Sequence, residues 1–462
     1  MNDFSNRTYD EIEIGSSLTL SRCLNETEVE ALALVSGEVD PFHLDSISPE
    51  GHRIDAKAVA AEALLSNMLS RRMPGPGSTI LSQSLSFSGS ITAGDELTAT
   101  VTAIDKQPDG HVIVFDCKVC CGDVVLVQGT VKVAAPTRRI AYSNLATPEL
   151  ILRRNDVFSK ILLRCQSLPP VKCAVVHPCD RDSLLGPIEA AKRGLIEPIL
   201  VGPESKIRAV AEAEGLDLSP YRIVSTEHSV EAAQVAVAMA RSGEVEALMK
   251  GSLHTDELMG AVVPSATGLR TGRRVSHVFV MDVPAYPRML LVTDAAINIA
   301  PTIRDKLDIC QNAIDLARVL GVEQPKVAIL AAVETVNPDM QATVDAAMLC
   351  KMADRGQISG GLLDGPLAFD NAVSAEAAKT KKIVSQVAGR ADILLVPDLE
   401  AGNMVAKQLQ YLAGADSAGI VLGTRVPIVL TSRADSVRTR LASTAVMALV
   451  AHAKREADAS QK

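Results

Sequence analysis

The chain has 462 residues, 47% hydrophobic and 22% charged, enough for two or three domains with substantial cores. A net charge of −9 argues against a nucleic-acid partner, yet an acidic surface can still carry a basic pocket for a small anion. Nine scattered Cys, an odd number in so long a chain, point to a reducing cytoplasm rather than a disulfide framework. There is no apolar run of about 18 residues and no charged-then-apolar leader, so neither a membrane span nor a secretion signal is expected.

Residues 1 to about 148 read as one unit. Tyr9 to Leu20 reads as a lead-in and a strand, and Thr27 to Ser36 as a short helix. An acid-rich loop follows, Gly37-Glu38-Val39-Asp40-Pro41-Phe42-His43-Leu44-Asp45. Ala56 to Arg71 has a helical pattern of Ala, Leu and Met with almost no polar face, so burial on all sides is expected. Pro74-Gly75-Pro76-Gly77 ends it. Four strand-like runs come next: Ile80 to Phe87, Glu96 to Ile104, His111 to Cys121 and Val124 to Val133. Gly94-Asp95, Asp109-Gly110 and Gly122-Asp123 are turn signals between them. The expected form is α+β, an antiparallel sheet wrapped round one helix. Cys117, Cys120 and Cys121 stand close together, but a zinc site usually needs two close pairs of ligands and no second C-x-x-C exists. Core packing is expected there, and no metal.

This region resembles the hot-dog fold of the MaoC-like, R-specific enoyl-CoA hydratases, whose hallmark is D-x-N-P-x-H. Glu38 stands at the Asp position, Asp40 at the Asn position and His43 at the His position. The resemblance implies that Glu38 and His43 act on the water added across an enoyl thioester, with Asp40 beside them. It also implies that the N–H of Ala58, at the start of the long helix, polarises the thioester carbonyl. Glu38, Asp40 and Ala58 depart from the family's usual residues. Two readings stay open, a hydratase or a degenerate domain that binds acyl-CoA or only dimerises.

Ala135-Pro136-Thr137-Arg138-Arg139 leaves the last strand, and Thr147-Pro148 marks a boundary near 148, giving domains 1–148 and 149–462. Beyond it the pattern is βα throughout. Strands are expected at Cys173 to His177, Ile199 to Val201, Ala247 to Met249, His277 to Met281, Met289 to Val292, Lys326 to Ala331, Ile393 to Val396 and Pro427 to Leu430, with helices between most of them. That alternation predicts an α/β domain with a mostly parallel sheet. Gly423 to Ser436 reads G-T-R-V-P-I-V-L-T-S-R-A-D-S, a buried strand followed by a helix from Ser436 to about Lys454. It delivers Ser432, Arg433 and Asp435 to a strand's C-terminal end, where a helix N-terminus favours an anion and an Arg can take phosphate with two parallel bonds. The same residues also suit an N-cap and a solvated Arg.

Other short motifs follow apolar strands as well, so convergence on one sheet edge is expected. Lys250, Arg274 and Arg433 supply cations there; Gly251, Ser276, Asn298, Gly365, Gly402 and Asn403 supply small or amide-bearing positions. Cations beside Gly-exposed backbone suit a phosphoryl or acyl-phosphate ligand. Asp294, Asp364, Asp398 and Asp435 supply carboxylates, though Asp364-Gly365 and Asp398 equally suit turns and caps. His277 reads as structural and His254 as a surface residue.

Seven motifs in order carry a second resemblance. They are Met249-Lys250-Gly251-Ser252, Arg274-Val275-Ser276-His277-Val278, Thr293-Asp294-Ala295-Ala296-Ile297-Asn298, Glu334-Thr335-Val336-Asn337-Pro338, Asp364-Gly365-Pro366-Leu367-Ala368-Phe369-Asp370, Pro397-Asp398-Leu399-Glu400-Ala401-Gly402-Asn403 and Ser432-Arg433. Residues of about 150 to 456 thereby resemble the phosphate acetyl/butyryltransferase family. The resemblance implies a two-subdomain acyltransferase architecture and the reaction of acyl-CoA with inorganic phosphate to give acyl phosphate and CoA. It implies Ser432 and Arg433 at the phosphate and the tetrahedral oxyanion, no tightly bound cofactor, coenzyme A as substrate, and a homodimer or larger assembly. The acetyltransferase branch places a catalytic Asp beyond the Ser-Arg pair, where this chain has Thr439. Asp435 is the nearest carboxylate and the expected base. An acyl-CoA-binding scaffold without turnover is the competing reading.

Overall fold

The computed structural model describes residues 4–23, 57–88, 95–142, 157–432 and 435–460. Two compact units divide the chain, Met1–Leu152 and Arg153–Lys462. The expected helix at 27–36, the loop with Glu38, Asp40 and His43, and Arg433 lie outside the described residues.

In the first unit a two-stranded pair joins β1 (Phe4–Ser5) to β7 (Ala141–Tyr142). The main sheet holds β2 (Ser17–Cys23), β3 (Thr79–Phe87), β4 (Glu96–Gln107), β5 (Val112–Cys121) and β6 (Val124–Ala134) in the order β2-β4-β5-β6-β3, every pair antiparallel. Strict alternation in β4 explains its two faces. Leu97, Ala99, Val101 and Ala103 are buried. Thr98, Thr100 and Thr102 point the other way and pair with the hydroxyls of Ser21, Thr19 and Ser17 at 2.9, 3.0 and 2.9 Å. Gly110 and Gly122, with φ of 70° and 56°, turn the chain between β4, β5 and β6.

One helix, Lys57–Arg71, lies on the apolar face. Ala61, Leu64, Leu65, Met68 and Leu69 form its buried stripe and share a core with Val101, Phe115, Val127 and Val131 of the sheet. Burial on all sides was the expectation; Ala63, Asn67 and Ser70 are exposed instead. Those exposed positions carry Ala, Asn and Ser, small or polar side chains that forfeit little apolar surface when left in water. Cys117 is fully enclosed in β5, and burial pushes its thiol up to about 12. Among the described residues no three His, Cys, Asp or Glu side chains gather as a metal site would need.

The second unit is built on one sheet of β8 (Val171–Val176), β9 (Ile196–Gly202), β10 (Arg222–Ser225), β11 (Ala247–Lys250), β12 (Ser276–Asp282), β13 (Leu290–Thr293), β14 (Lys326–Leu330), β15 (Leu362–Leu367), β16 (Ile393–Leu395), β17 (Asp416–Leu422) and β18 (Ile428–Val429). Their order is β10-β9-β8-β11-β18-β17-β12-β13-β16-β14-β15. The neighbours from β10 to β18 are parallel, as are those from β13 to β15. Between them β18/β17, β17/β12 and β12/β13 are antiparallel. Three reversals leave the two parallel blocks running in opposite directions. Strands that carry motifs therefore end at opposite edges of the sheet, which corrects the expected convergence on one edge. The helix after β18, Val437–Ser460, packs on β17 and on the helices Val157–Cys165 and Arg181–Lys192.

Candidate active site

β8, β11 and β18 end side by side at one edge. Every residue of β11 is buried, its last one Lys250 included, at 3% exposure. The Lys250 ammonium points at two main-chain oxygens, Gly251 O at 3.4 Å and Thr431 O at 3.5 Å. Across from it β18 gives way to Thr431, which is buried, and Ser432, which is exposed. Asp435 closes the turn. Its Oδ2 accepts from the Ser432 N–H at 2.6 Å, and its own N–H donates to Ser432 O at 3.1 Å. Gln410 Nε2 approaches Asp435 Oδ1 at 3.4 Å. The expected base thus has one oxygen committed to holding Ser432 in place.

Arg440, one turn into the last helix, is enclosed at 1% exposure. Its Nη1 donates to Thr431 Oγ1 at 2.9 Å and lies 3.4 Å from Lys250 O; its Nη2 donates to Ser432 O at 3.2 Å. Burial lowers its pKa, opposed by the charges of Asp180, Asp435 and Asp182. The sequence reading missed Arg440 because it followed only the apolar residues of this helix. A basic residue three after Val437 and one before Leu441, on the apolar stripe itself, was the available signal.

Next to Lys250 the chain is packed backbone on backbone. A Cβ at Gly251 would lie 2.4 Å from Val176 O and 2.5 Å from His177 O. Ser252 Oγ donates to His177 O at 2.8 Å and accepts from the Cys179 N–H at 3.2 Å. Burial lowers the His177 pKa, and Lys206 adds to that.

Arg274, Ser276 and Asn298 meet at the opposite edge, where β12 begins and β13 ends. Asp294 is their organiser, because its carboxylate accepts from the N–H groups of Ala296, Ile297 and Asn298 at 2.9, 3.0 and 3.2 Å. Asn298 Nδ2 donates to Asp294 Oδ2 at 2.5 Å and to Val275 O at 2.9 Å, and its Oδ1 accepts from Arg274 Nε at 2.7 Å. Ser276 Oγ accepts from Asn312 Nδ2 at 2.9 Å. Asn403 Nδ2 donates to Ala295 O at 3.2 Å, and a Cβ at Gly402 would meet Asp294 O at 2.6 Å. Register puts Ser276 level with Leu422, and Val429 level with Ile420. Ser276 and Ser432 are therefore separated by five residues of rise, roughly 16 Å along the strands.

Asp364 and Gly365 belong to neither group. They lie within β15, at the sheet's far edge and six strands from β18, on the order of 29 Å at ~4.8 Å per strand. Gly365 is a packing position, since a Cβ there would stand 2.8 Å from Ile329 O. Close by, Lys381 ties Glu334 to Asp370 at 3.4 and 3.1 Å. Ala58 is the second residue of its helix. His277 is fully buried, with no hydrogen-bond partner within normal distance of either ring nitrogen among the described residues, and burial lowers its pKa. His254 is exposed.

Comparison with known proteins assigns the second unit. Residues 225–448 match the family model described as phosphate acetyl/butaryl transferase. The phosphate acetyltransferase of Rhizobium meliloti is 61% identical over 300 residues, 65% of this chain and 95% of that protein. The phosphate butyryltransferase of Clostridium beijerinckii is 43% identical over 294 residues, 64% of this chain and 97% of that protein. A branched-chain phosphotransacylase from Enterococcus faecalis V583 superposes with a TM-score of 0.54 at 29% identity, covering 61% of this chain and 99% of the other. The chain belongs to the phosphate acetyl/butyryl transferase family and is an acyltransferase.

Proposed function

We propose that the second unit moves a short acyl group, acetyl to butyryl, between coenzyme A and inorganic phosphate at the Ser432–Asp435 turn. The observation that carries this is a pair of buried cations, Lys250 and Arg440, beneath an exposed Ser432 at a strand's end. Low-dielectric surroundings strengthen their field on a phosphate bound above them. In the direction of acyl phosphate, a phosphate oxygen attacks the thioester carbon. A tetrahedral oxyanion forms, the C–S bond breaks, and the CoA thiolate leaves with the electron pair. A thiolate whose thiol has a pKa of about 8.5 is a fair leaving group without prior protonation. Ser432 Oγ donates to phosphate or to the acyl oxygen, and Arg433 takes the phosphate edge-on.

Thiol release from acetyl-, propionyl- and butyryl-CoA with phosphate tests this. Release with at least one is expected, and none with any would overturn it. Arg433→Lys should cut turnover by about one to three orders of magnitude, as loss of an oxyanion donor does. We further propose that the chain works as a homodimer, which light scattering tests against the 48.8 kDa of one chain.

A second reading concerns the first unit, where a buried-stripe helix lies on an antiparallel sheet and the Glu38–His43 motif precedes it in sequence. We propose a MaoC-like hot-dog domain that hydrates short enoyl-CoA esters weakly. Loss of crotonyl-CoA absorbance should be measurable and vanish in His43→Ala. If Glu38→Asp with Ala58→Gly restores a silent protein, the domain is a degenerate hydratase.

A further inference from the structure

We propose that Arg440 is a positioning residue for acyl transfer, clamping the ends of β11 and β18 into one rigid floor under Ser432. The proposal rests on the reading of that turn as the transfer site. Arg440 reaches the carbonyl of Lys250 at one strand end, and the Thr431 hydroxyl and Ser432 carbonyl at the other. Lys250 spans the same gap from the other side, its ammonium lying between Gly251 O and Thr431 O. The Ser432 carbonyl belongs to the peptide that leads into Arg433. A donor on that oxygen fixes the plane of this peptide and hence the direction in which the chain continues.

Two further observations argue that the guanidinium is there for more than packing. Its Nε is buried with no hydrogen-bond partner among the described residues, so they do not satisfy the group fully. A buried charge of this kind is commonly no more stabilising than a hydrophobe of equal volume. The fold also makes room for it. Gly186, buried in the helix Arg181–Lys192, faces Arg440 so closely that a Cβ there would lie 3.0 Å from both Cβ and Cδ of the arginine. Arg440 makes no contact with substrate in this scheme. It acts through Ser432, Thr431 and the Lys250 main chain, and it adds positive charge below the phosphate.

The test uses the full chain with R440M, R440K and G186A. Turnover, the KM for phosphate, the KM for acyl-CoA and the thermal midpoint are measured for each. R440M is expected to lose about 10- to 100-fold in kcat, to keep its KM for acyl-CoA within about twofold, and to hold or raise its thermal midpoint. R440K should recover part of the loss. G186A keeps every polar atom and improves helix propensity, yet it should lower kcat several-fold by displacing the arginine. A folded R440M within about twofold of wild-type kcat would overturn the proposal. So would a loss of rate that only tracks a loss of thermal midpoint and that R440K leaves unrecovered. Should R440M not fold, an unchanged G186A overturns it. A wild-type protein that releases no thiol sinks the transferase reading instead, whereas an active wild type with indifferent variants sinks only the role of Arg440.

Discussion

Three motif glycines are dictated by what surrounds them. At Gly251, Gly365 and Gly402 a methyl group would stand 2.4, 2.8 and 2.6 Å from a main-chain oxygen. Gly251→Ala should therefore cost about 1–3 kcal/mol in urea unfolding, because the strand-end loops of β8 and β11 must separate; an unchanged midpoint would contradict the packing. Asp435 poses a different question, cap or base. Asparagine can still accept from the Ser432 N–H, so Asp435→Asn should keep turnover within about tenfold, while Asp435→Ala should lose about 0.5–2 kcal/mol of stability. A fall of more than about 100-fold in Asp435→Asn at unchanged stability would make it the proton acceptor. Ser432, Lys250 and Asn298 were legible as site candidates because each follows an apolar strand. Their neighbours were not, since which carbonyl a cation faces depends on register. That is why Asp294 read as one carboxylate among four, when it binds three consecutive N–H groups.

At the scale of elements, alternation and turn residues placed the antiparallel sheet of the first unit to within a few residues. In the second unit the same method overlooked β17. Its sequence, D-S-A-G-I-V-L, opens with turn-like residues, and Gly419 sits mid-strand because a Cβ would meet Leu430 O at 2.3 Å. Missing that strand removed a reversal, and with it the reason for two separate edges. Helix packing adds an element-level test. Lys306 and Asp345 form an ion pair at 2.7 Å, both nearly enclosed, between the helices Ile303–Val319 and Gln341–Asp354. Gln341 Nε2 occupies the second carboxylate oxygen at 2.7 Å. Asp345→Leu leaves an uncompensated ammonium and should destabilise by about 3–5 kcal/mol, whereas a double change to Lys306→Met with Asp345→Leu should recover most of it. Equal losses in single and double variants would show that packing, not charge, is at stake.

At the scale of the whole molecule, a half-buried histidine and a fully buried one link stability to pH. Burial lowers the pKa of both His177 and His277 below the ordinary 6.5. Each is held neutral in the fold and gains a proton more readily when unfolded. Their contribution is complete above about pH 6.5 and is lost as pH falls toward the folded values. The thermal midpoint should drop between about pH 7.5 and about pH 5.5, and His277→Gln should flatten part of that slope. A slope unaltered by the substitution would assign the titration elsewhere.

The strand order also sets a clock. β18 sits between β11 and β17, and the helix Val437–Ser460 packs against helices that begin near residue 157 and residue 181. A ribosome adds about 5–20 residues each second, so the roughly 250 residues between β8 and β18 take on the order of 10–50 s to emerge. Through that interval β8 to β11 lack the neighbour that seals their open side, while the first unit has every strand of its own sheet already synthesised. Chaperone protection should accordingly be needed late in synthesis and for the second unit above all. A chain released before residue 428 would present β11 as a bare parallel edge, a substrate for degradation rather than a weaker enzyme.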